Sequence, residues 1–171
     1  MTLEILVEYF MKYGEIAIFI IVLLEYMNLP GFPAGVILPL AGVWAARGKI
    51  SFLIALLITV AAGLVGSLFL YWLGYKGGEF FLQKYLSKFP KQRETIEKYL
   101  VWIRQKGSIG IFIGKLIPMV RTLVSIPAGV ARMRLLNYTV SSALGILVWN
   151  AFFLGAGYLL GDTVFEGEIL L

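Results

Sequence analysis

Two stretches of this sequence leave little choice of environment. Ile50 to Leu73 and Leu135 to Gly161 carry no charged residue, and each exceeds the roughly 20 residues a helix needs to cross a hydrocarbon core about 30 Å thick. A soluble domain of 171 residues needs polar faces on its helices, and neither run supplies one. With 60% of its residues hydrophobic, the chain reads as an all-α integral membrane protein, one domain over residues 1–171.

Composition then removes whole classes of chemistry. The chain has no Cys and no His, so disulfides, thiol nucleophiles and the commonest zinc ligands are out of consideration. Ser125 and several tyrosines are present, but no base or second intramembrane acid accompanies them to activate a nucleophile. We therefore expect no enzyme activity, no metal and no cofactor. The net charge of +5 comes with eight Lys or Arg against three Glu between Lys76 and Lys106. Basic residues beside spanning segments answer to anionic headgroups and the positive-inside rule, so no nucleic acid is expected. Pro90 divides this connector, residues 76–106, into two short helical stretches. The second is amphipathic through Ile96, Leu100 and Ile103 and suits the cytoplasmic surface. At the N-terminus Glu4, Glu8 and Glu15 stand where a signal peptide would be basic, so the first residues are expected to be retained.

The remaining apolar segments are broken. Residues 3–24 start as an amphipathic interfacial stretch and become a membrane helix that Glu25 ends. Residues 27–47 then hold Pro30, Pro33 and Pro39 with Gly31, Gly35 and Gly42, which predicts a re-entrant hairpin, a kinked span being the alternative. Residues 107–131 are broken by Pro118 and Pro127, carry Lys115 and Arg121, and include Ser125 and Gly129. A second re-entrant hairpin turning near Arg121 is favoured there over a kinked span, because Arg132 and Arg134 restore charge soon afterwards. Irregular backbone at membrane depth requires cover from protein or a wet cavity. Small-residue faces at Gly63, Gly66, Gly74 and Gly78, and at Gly157 and Gly161, predict close helix packing and leave oligomerisation open. Pro33-Ala34-Gly35-Val36 recurs as Pro127-Ala128-Gly129-Val130, and repeated discontinuous elements, inverted-repeat-like, are a transporter architecture.

A charge in hydrocarbon costs several kcal/mol, and such residues usually face a cavity, a pathway or a partner. Lys115 and Arg121 in one apolar run therefore point to an anion-handling site. Arg121 can grip phosphate with two parallel hydrogen bonds, and Lys115 adds a point charge. Helix ends exposed by the breaks at Pro33 and Pro118 would add backbone N–H groups. Glu25 has two uses open to it: neutralising the cations, or accepting a proton that couples transport to pH. A static Glu25 to Arg121 pair closing the bundle is the plainer alternative.

The run Gly114-Lys115-Leu116-Ile117-Pro118-Met119-Val120-Arg121-Thr122-Leu123-Val124-Ser125-Ile126-Pro127-Ala128-Gly129, followed by Met133, strongly resembles the DedA family of membrane proteins, also described as SNARE-associated or VTT-domain proteins. The resemblance continues through Glu25, Leu29 to Gly42, the glycine-tyrosine pattern of Gly63, Gly66, Tyr71, Gly74 and Gly78, and Trp149, Gly157, Tyr158 and Gly161. It implies a prokaryotic inner-membrane protein whose two re-entrant hairpins face each other and which moves an anionic lipid such as undecaprenyl phosphate or a phospholipid. On that reading Arg121 clamps the headgroup, Lys115 is the second cation and Glu25 the switch, with protons as a coupling ion. Three positions depart from the pattern: Lys115 replaces an Arg, Val36 follows Gly35 where an acid is frequent, and Ser67 stands where many members carry Asp. A small-solute or ion transporter of the same shape and a non-transporting scaffold are the competing expectations.

Overall fold

A backbone surrounded by apolar side chains must satisfy its own N–H and C=O groups, and a helix does so within one segment. In the computed structural model, which describes residues 13–27, 35–47, 49–88, 90–118 and 120–166, all regular structure among those residues is helical. Helix α1 (Glu15–Tyr26) is followed by α2 (Ile37–Ala46) and by the long α3 (Phe52–Lys88). A 3-10 turn at Pro90–Gln92 leads into α4 (Arg93–Lys106). Three short helices follow, α5 (Ser108–Lys115), α6 (Val120–Leu123) and α7 (Ser125–Val130), and then α8 (Leu135–Glu166). Pro30, Gly31 and Pro33, the start of the first proposed hairpin, lie outside the described residues, as does the interfacial stretch before residue 13.

Among the described residues, two helices are long and apolar enough to cross a membrane, Phe52–Gly78 and Leu135–Gly161. The second matches its expected span from end to end. The first outruns the apolar stretch that ended at Leu73, because Gly74, Tyr75 and Lys76 offer nothing to stop a helix. What interrupts it is Gly78, at φ 52 and ψ -145, a conformation that glycine adopts without steric cost.

The chain separates into two compact units, one of Met1–Glu25, Leu29–Gly63 and Leu147–Leu171, the other of Tyr26–Asn28 and Leu64–Ile146. In the first unit, α2 lies directly on the later part of α8. A methyl group placed on Gly42 would stand 2.0 Å from the carbonyl oxygen of Leu154, and one on Gly157 would stand 2.0 Å from that of Pro39. Gly161 continues this contact against Val43, and Phe52 meets Tyr158 edge to face at 5.4 Å.

In the second unit, α7 lies on the later part of α3 in the same way. A methyl on Gly129 would stand 2.1 Å from the carbonyl oxygen of Tyr71, and one on Gly74 would stand 2.3 Å from that of Ile126. In both units a residue and the glycine three places on meet a residue and a glycine with the same offset. Around the second dock, Tyr71, Ile103, Ile111, Val124, Ala128 and Tyr138 form one buried cluster, and Leu70, Leu82, Leu86, Leu123 and Ile126 another.

Two expectations differ from these observations. Within residues 107–131 Gly114 packs against Val124, but the break falls at Leu116–Pro118 and Arg121 sits inside α6 rather than at a turn. Proline disfavours helix for the residue before it, and that steric rule outweighs the charge that seemed to mark a turn. The four-residue echo also misplaces the correspondence. Gly35 has φ 92 and open space beside it, whereas Gly129 is helical and tightly packed. The residue that matches Gly129 in its contacts is Gly42, within Ala41-Gly42-Val43, which repeats Ala128-Gly129-Val130.

Candidate functional site

Lys115 ends α5 with none of its surface exposed. Its ammonium has three protons to place, and three acceptors surround it: Ser67 Oγ at 2.8 Å, the Arg121 carbonyl at 2.8 Å and Ser125 Oγ at 3.1 Å. They belong to α3, α6 and α7, so one side chain ties the long helix to two of the short ones. Its stem runs flush along α8, since a methyl on Gly145 would lie 2.5 Å from the Lys115 Cβ. All three acceptors are neutral, so none of them cancels the positive charge.

Arg121 is 3% exposed, and its guanidinium lies over the Tyr26 ring at 4.6 Å from the centroid. Lys115 Nζ is 5.9 Å from the same centroid. An aromatic face attracts cations through its quadrupole, more strongly when water is excluded, so buried Tyr26 supports both charges without neutralising them. The second unit thus holds two cations side by side, one saturated by hydrogen bonds and one resting on a ring.

Behind them Tyr138, fully buried, donates to the Ser67 carbonyl at 3.0 Å and stacks on Tyr71 at 4.4 Å. Tyr71 in turn donates to the Met133 carbonyl. That carbonyl belongs to the motif that closes α7, in which Arg132 N–H meets the Gly129 carbonyl and Met133 N–H meets that of Ala128, with Arg132 at φ 50. This pairing is the Schellman closure of a helix C-terminus, and the Met133 side chain packs against the cluster around Tyr71. Tyr71→Phe should lower stability by about 1 kcal/mol, the usual net worth of one hydrogen bond, which a shift of the melting midpoint in detergent would register.

The other expected residues fall as follows. Glu25 is 4% exposed and belongs to the first unit, where Gly35 N–H donates to its Oε1 at 3.3 Å. Pro118 is exposed at the break, Pro127 is buried within α7 and Ser125 binds Lys115. Gly63 and Gly66 are buried; Gly74, Gly157 and Gly161 make close helix contacts; Gly78 bends α3 with open space beside it. Tyr26, Tyr138, Gly145 and the acceptor role of Ser67 went unread. Ser67 had registered as a departure from the family's Asp, not as a partner of Lys115. Among the described residues no group of three His, Cys, Asp or Glu could hold a metal.

Comparison with known proteins places this geometry in context. Residues 32–159 match the family model described as the VTT domain. The chain is 32% identical over 164 residues to undecaprenyl phosphate transporter A of Staphylococcus aureus, covering 94% of this chain and 80% of that protein. It is 34% identical over 130 residues to undecaprenyl phosphate transporter A of Bacillus subtilis, covering 76% of this chain and 66% of that protein. A membrane protein of B. subtilis without assigned function, YkoX, is 30% identical over 157 residues, 92% of this chain and 69% of its own. No solved structure matches the chain.

Proposed function

The chain belongs to the VTT-domain (DedA) family of membrane proteins, and from that premise we propose that it carries an anionic lipid phosphate across the bilayer without chemical change. The observation that carries the reading is the pair of buried cations, Lys115 and Arg121, in short helices on either side of a proline break. Buried intramembrane charges mark substrate or ion pathways, and the neutral partners of Lys115 leave its field available to an incoming anion. Arg121 is the headgroup clamp, its planar fork matching two phosphate oxygens. Lys115 is the second cation and also holds the Arg121 backbone in place.

Undecaprenyl phosphate is the substrate we favour, from the names of the two relatives. Residues 27–47 and 107–131 act as re-entrant hairpins, and the basic connector sets both on the cytoplasmic side of a prokaryotic inner membrane. Buried Glu25 serves as the switch, binding a proton during the cycle.

The test is reconstitution into liposomes with labelled undecaprenyl phosphate and labelled phospholipid. Arg121→Ala should slow lipid movement at least tenfold, and Arg121→Lys should retain part of it. Wild-type movement should vary with pH, and Glu25→Gln should flatten that dependence. Equal rates for wild type and Arg121→Ala would sink the clamp. Movement of soluble phosphate in place of lipid would favour a small-solute carrier.

A further inference from the structure

Outside the buried cations, the second unit has a surface groove of about 840 Å³, a volume in the range of ligand sites. Val65, Phe69, Trp72 and Lys76 follow one another along one face of α3 at spacings of four, three and four residues, a stripe roughly 16 Å long at the helical rise. The three apolar members are 49%, 44% and 53% exposed. At the other side of the groove stand Arg132 and Arg134, both exposed. The groove thus combines an apolar length with three cationic side chains, and among the described residues no acid lines it.

Arg132 strengthens the case that this end is built for a charge. It occupies the left-handed position of the Schellman closure at φ 50, where glycine is the unstrained residue. Its guanidinium is held 5.7 Å above the Tyr75 ring. Trp72 and Tyr75, both exposed, suit the level where hydrocarbon meets headgroups, which sets the apolar stripe against acyl chains and the three cations at phosphate level.

We propose that this groove is a docking site for an anionic membrane phospholipid, one acyl chain lying along Val65, Phe69 and Trp72 and the phosphate held by Lys76, Arg132 and Arg134. Charge complementarity selects the occupant: a zwitterionic lipid fills the same apolar stripe but carries its own cation to the basic end. The site is separate from Arg121, and lipid can occupy it whether or not any lipid is translocated.

Trp72 provides the readout, because bromine on an acyl chain quenches indole fluorescence on contact. The full chain is reconstituted in vesicles containing a tenth of brominated phosphatidylglycerol or of brominated phosphatidylcholine, and the Trp72 contribution is taken as the difference from Trp72→Phe. The brominated anionic lipid should quench Trp72 at least twofold more. Lys76→Gln with Arg134→Gln should abolish that preference, and so should Arg132→Gly, which the backbone at this position accepts without loss of folding. Arg121→Ala should leave the preference intact while slowing translocation, which distinguishes failure of this site from failure of the transport reading. Equal quenching by the two lipids in wild type overturns the proposal in favour of unselective lipid contact. Absence of quenching by either overturns it in favour of a protein segment, or a second copy of the chain, covering the groove.

Discussion

Gly129→Ala should remove most of the folded protein from a detergent extract, while Gly155→Ala should remove none. The two substitutions add the same methyl group to the interior of a helix. At Gly129 the new carbon would sit 2.1 Å from the Tyr71 carbonyl oxygen and 2.7 Å from the Tyr75 nitrogen. Both atoms are backbone of α3, which no rotamer change can move aside, so α7 must lift away as a unit. Lifting it separates Ile126 and Ala128 from the clusters they complete, and Ser125 from the Lys115 ammonium. Overpacking of this kind costs about 1–3 kcal/mol even where side chains can yield, and here they cannot. At Gly155 nothing lies within 4 Å of the added carbon, and replacing a helical glycine by alanine gains about 0.5–1 kcal/mol through lost unfolded-state freedom. Gly42→Ala should resemble Gly129→Ala, because its methyl would meet the Leu154 carbonyl at 2.0 Å. Size-exclusion yield and melting midpoint measure the difference. A midpoint for Gly129→Ala equal to wild type would mean that the helices part at no cost, and the docking account fails.

The paired glycine docks also show what the sequence could and could not reveal. An uncharged run long enough to cross a bilayer forces a helix whatever its neighbours do, so the span Leu135–Gly161 was readable at both ends. The kink of α3 was not, because a helix continues past the end of its apolar run until the backbone itself turns, and Gly78 looks in the sequence like Gly74, which does not turn. A four-letter match put Gly35 opposite Gly129, whose packing Gly42 shares instead. What pairs Gly42 with Gly129 is contact with a long helix more than 50 residues away, which local letters do not encode. For the candidate site, Lys115 and Arg121 were conspicuous as charges in an apolar segment, and that cost is local. Their partners were not conspicuous: the acceptors of Lys115 lie 48, 6 and 10 residues off, and two of them are serines. Only the fold makes a serine on a small-residue face the anchor of a buried ammonium.

Lys115→Arg should destabilise the protein by about 2–4 kcal/mol, and adding Ser67→Asp should recover at least half of that loss. The wild-type ammonium has three protons and three acceptors, so it is saturated. A guanidinium has five N–H donors, and among the same acceptors two would remain buried without partners, at about 1–3 kcal/mol for each. The stem has no slack to absorb the larger group, because it is pressed along α8 at Gly145. An aspartate at position 67 replaces a single hydroxyl with two oxygens and a negative charge, which two parallel N–H groups can engage. The family resemblance sets Arg and Asp at these two positions in many members, and this chain sets Lys and Ser, so the contact between Lys115 Nζ and Ser67 Oγ is where the two choices must agree. A double-mutant cycle on the melting free energies measures that agreement. Coupling between residues in contact runs to about 0.5–3 kcal/mol, and strictly additive losses would show that Ser67 is not the partner that matters. Lys115→Met isolates the charge itself: it keeps much of the stem's bulk but strands the Arg121 carbonyl, and lipid movement should fall with it. If Lys115→Met moves lipid at the wild-type rate, neither the second cation nor its hold on the Arg121 backbone belongs to the transport mechanism.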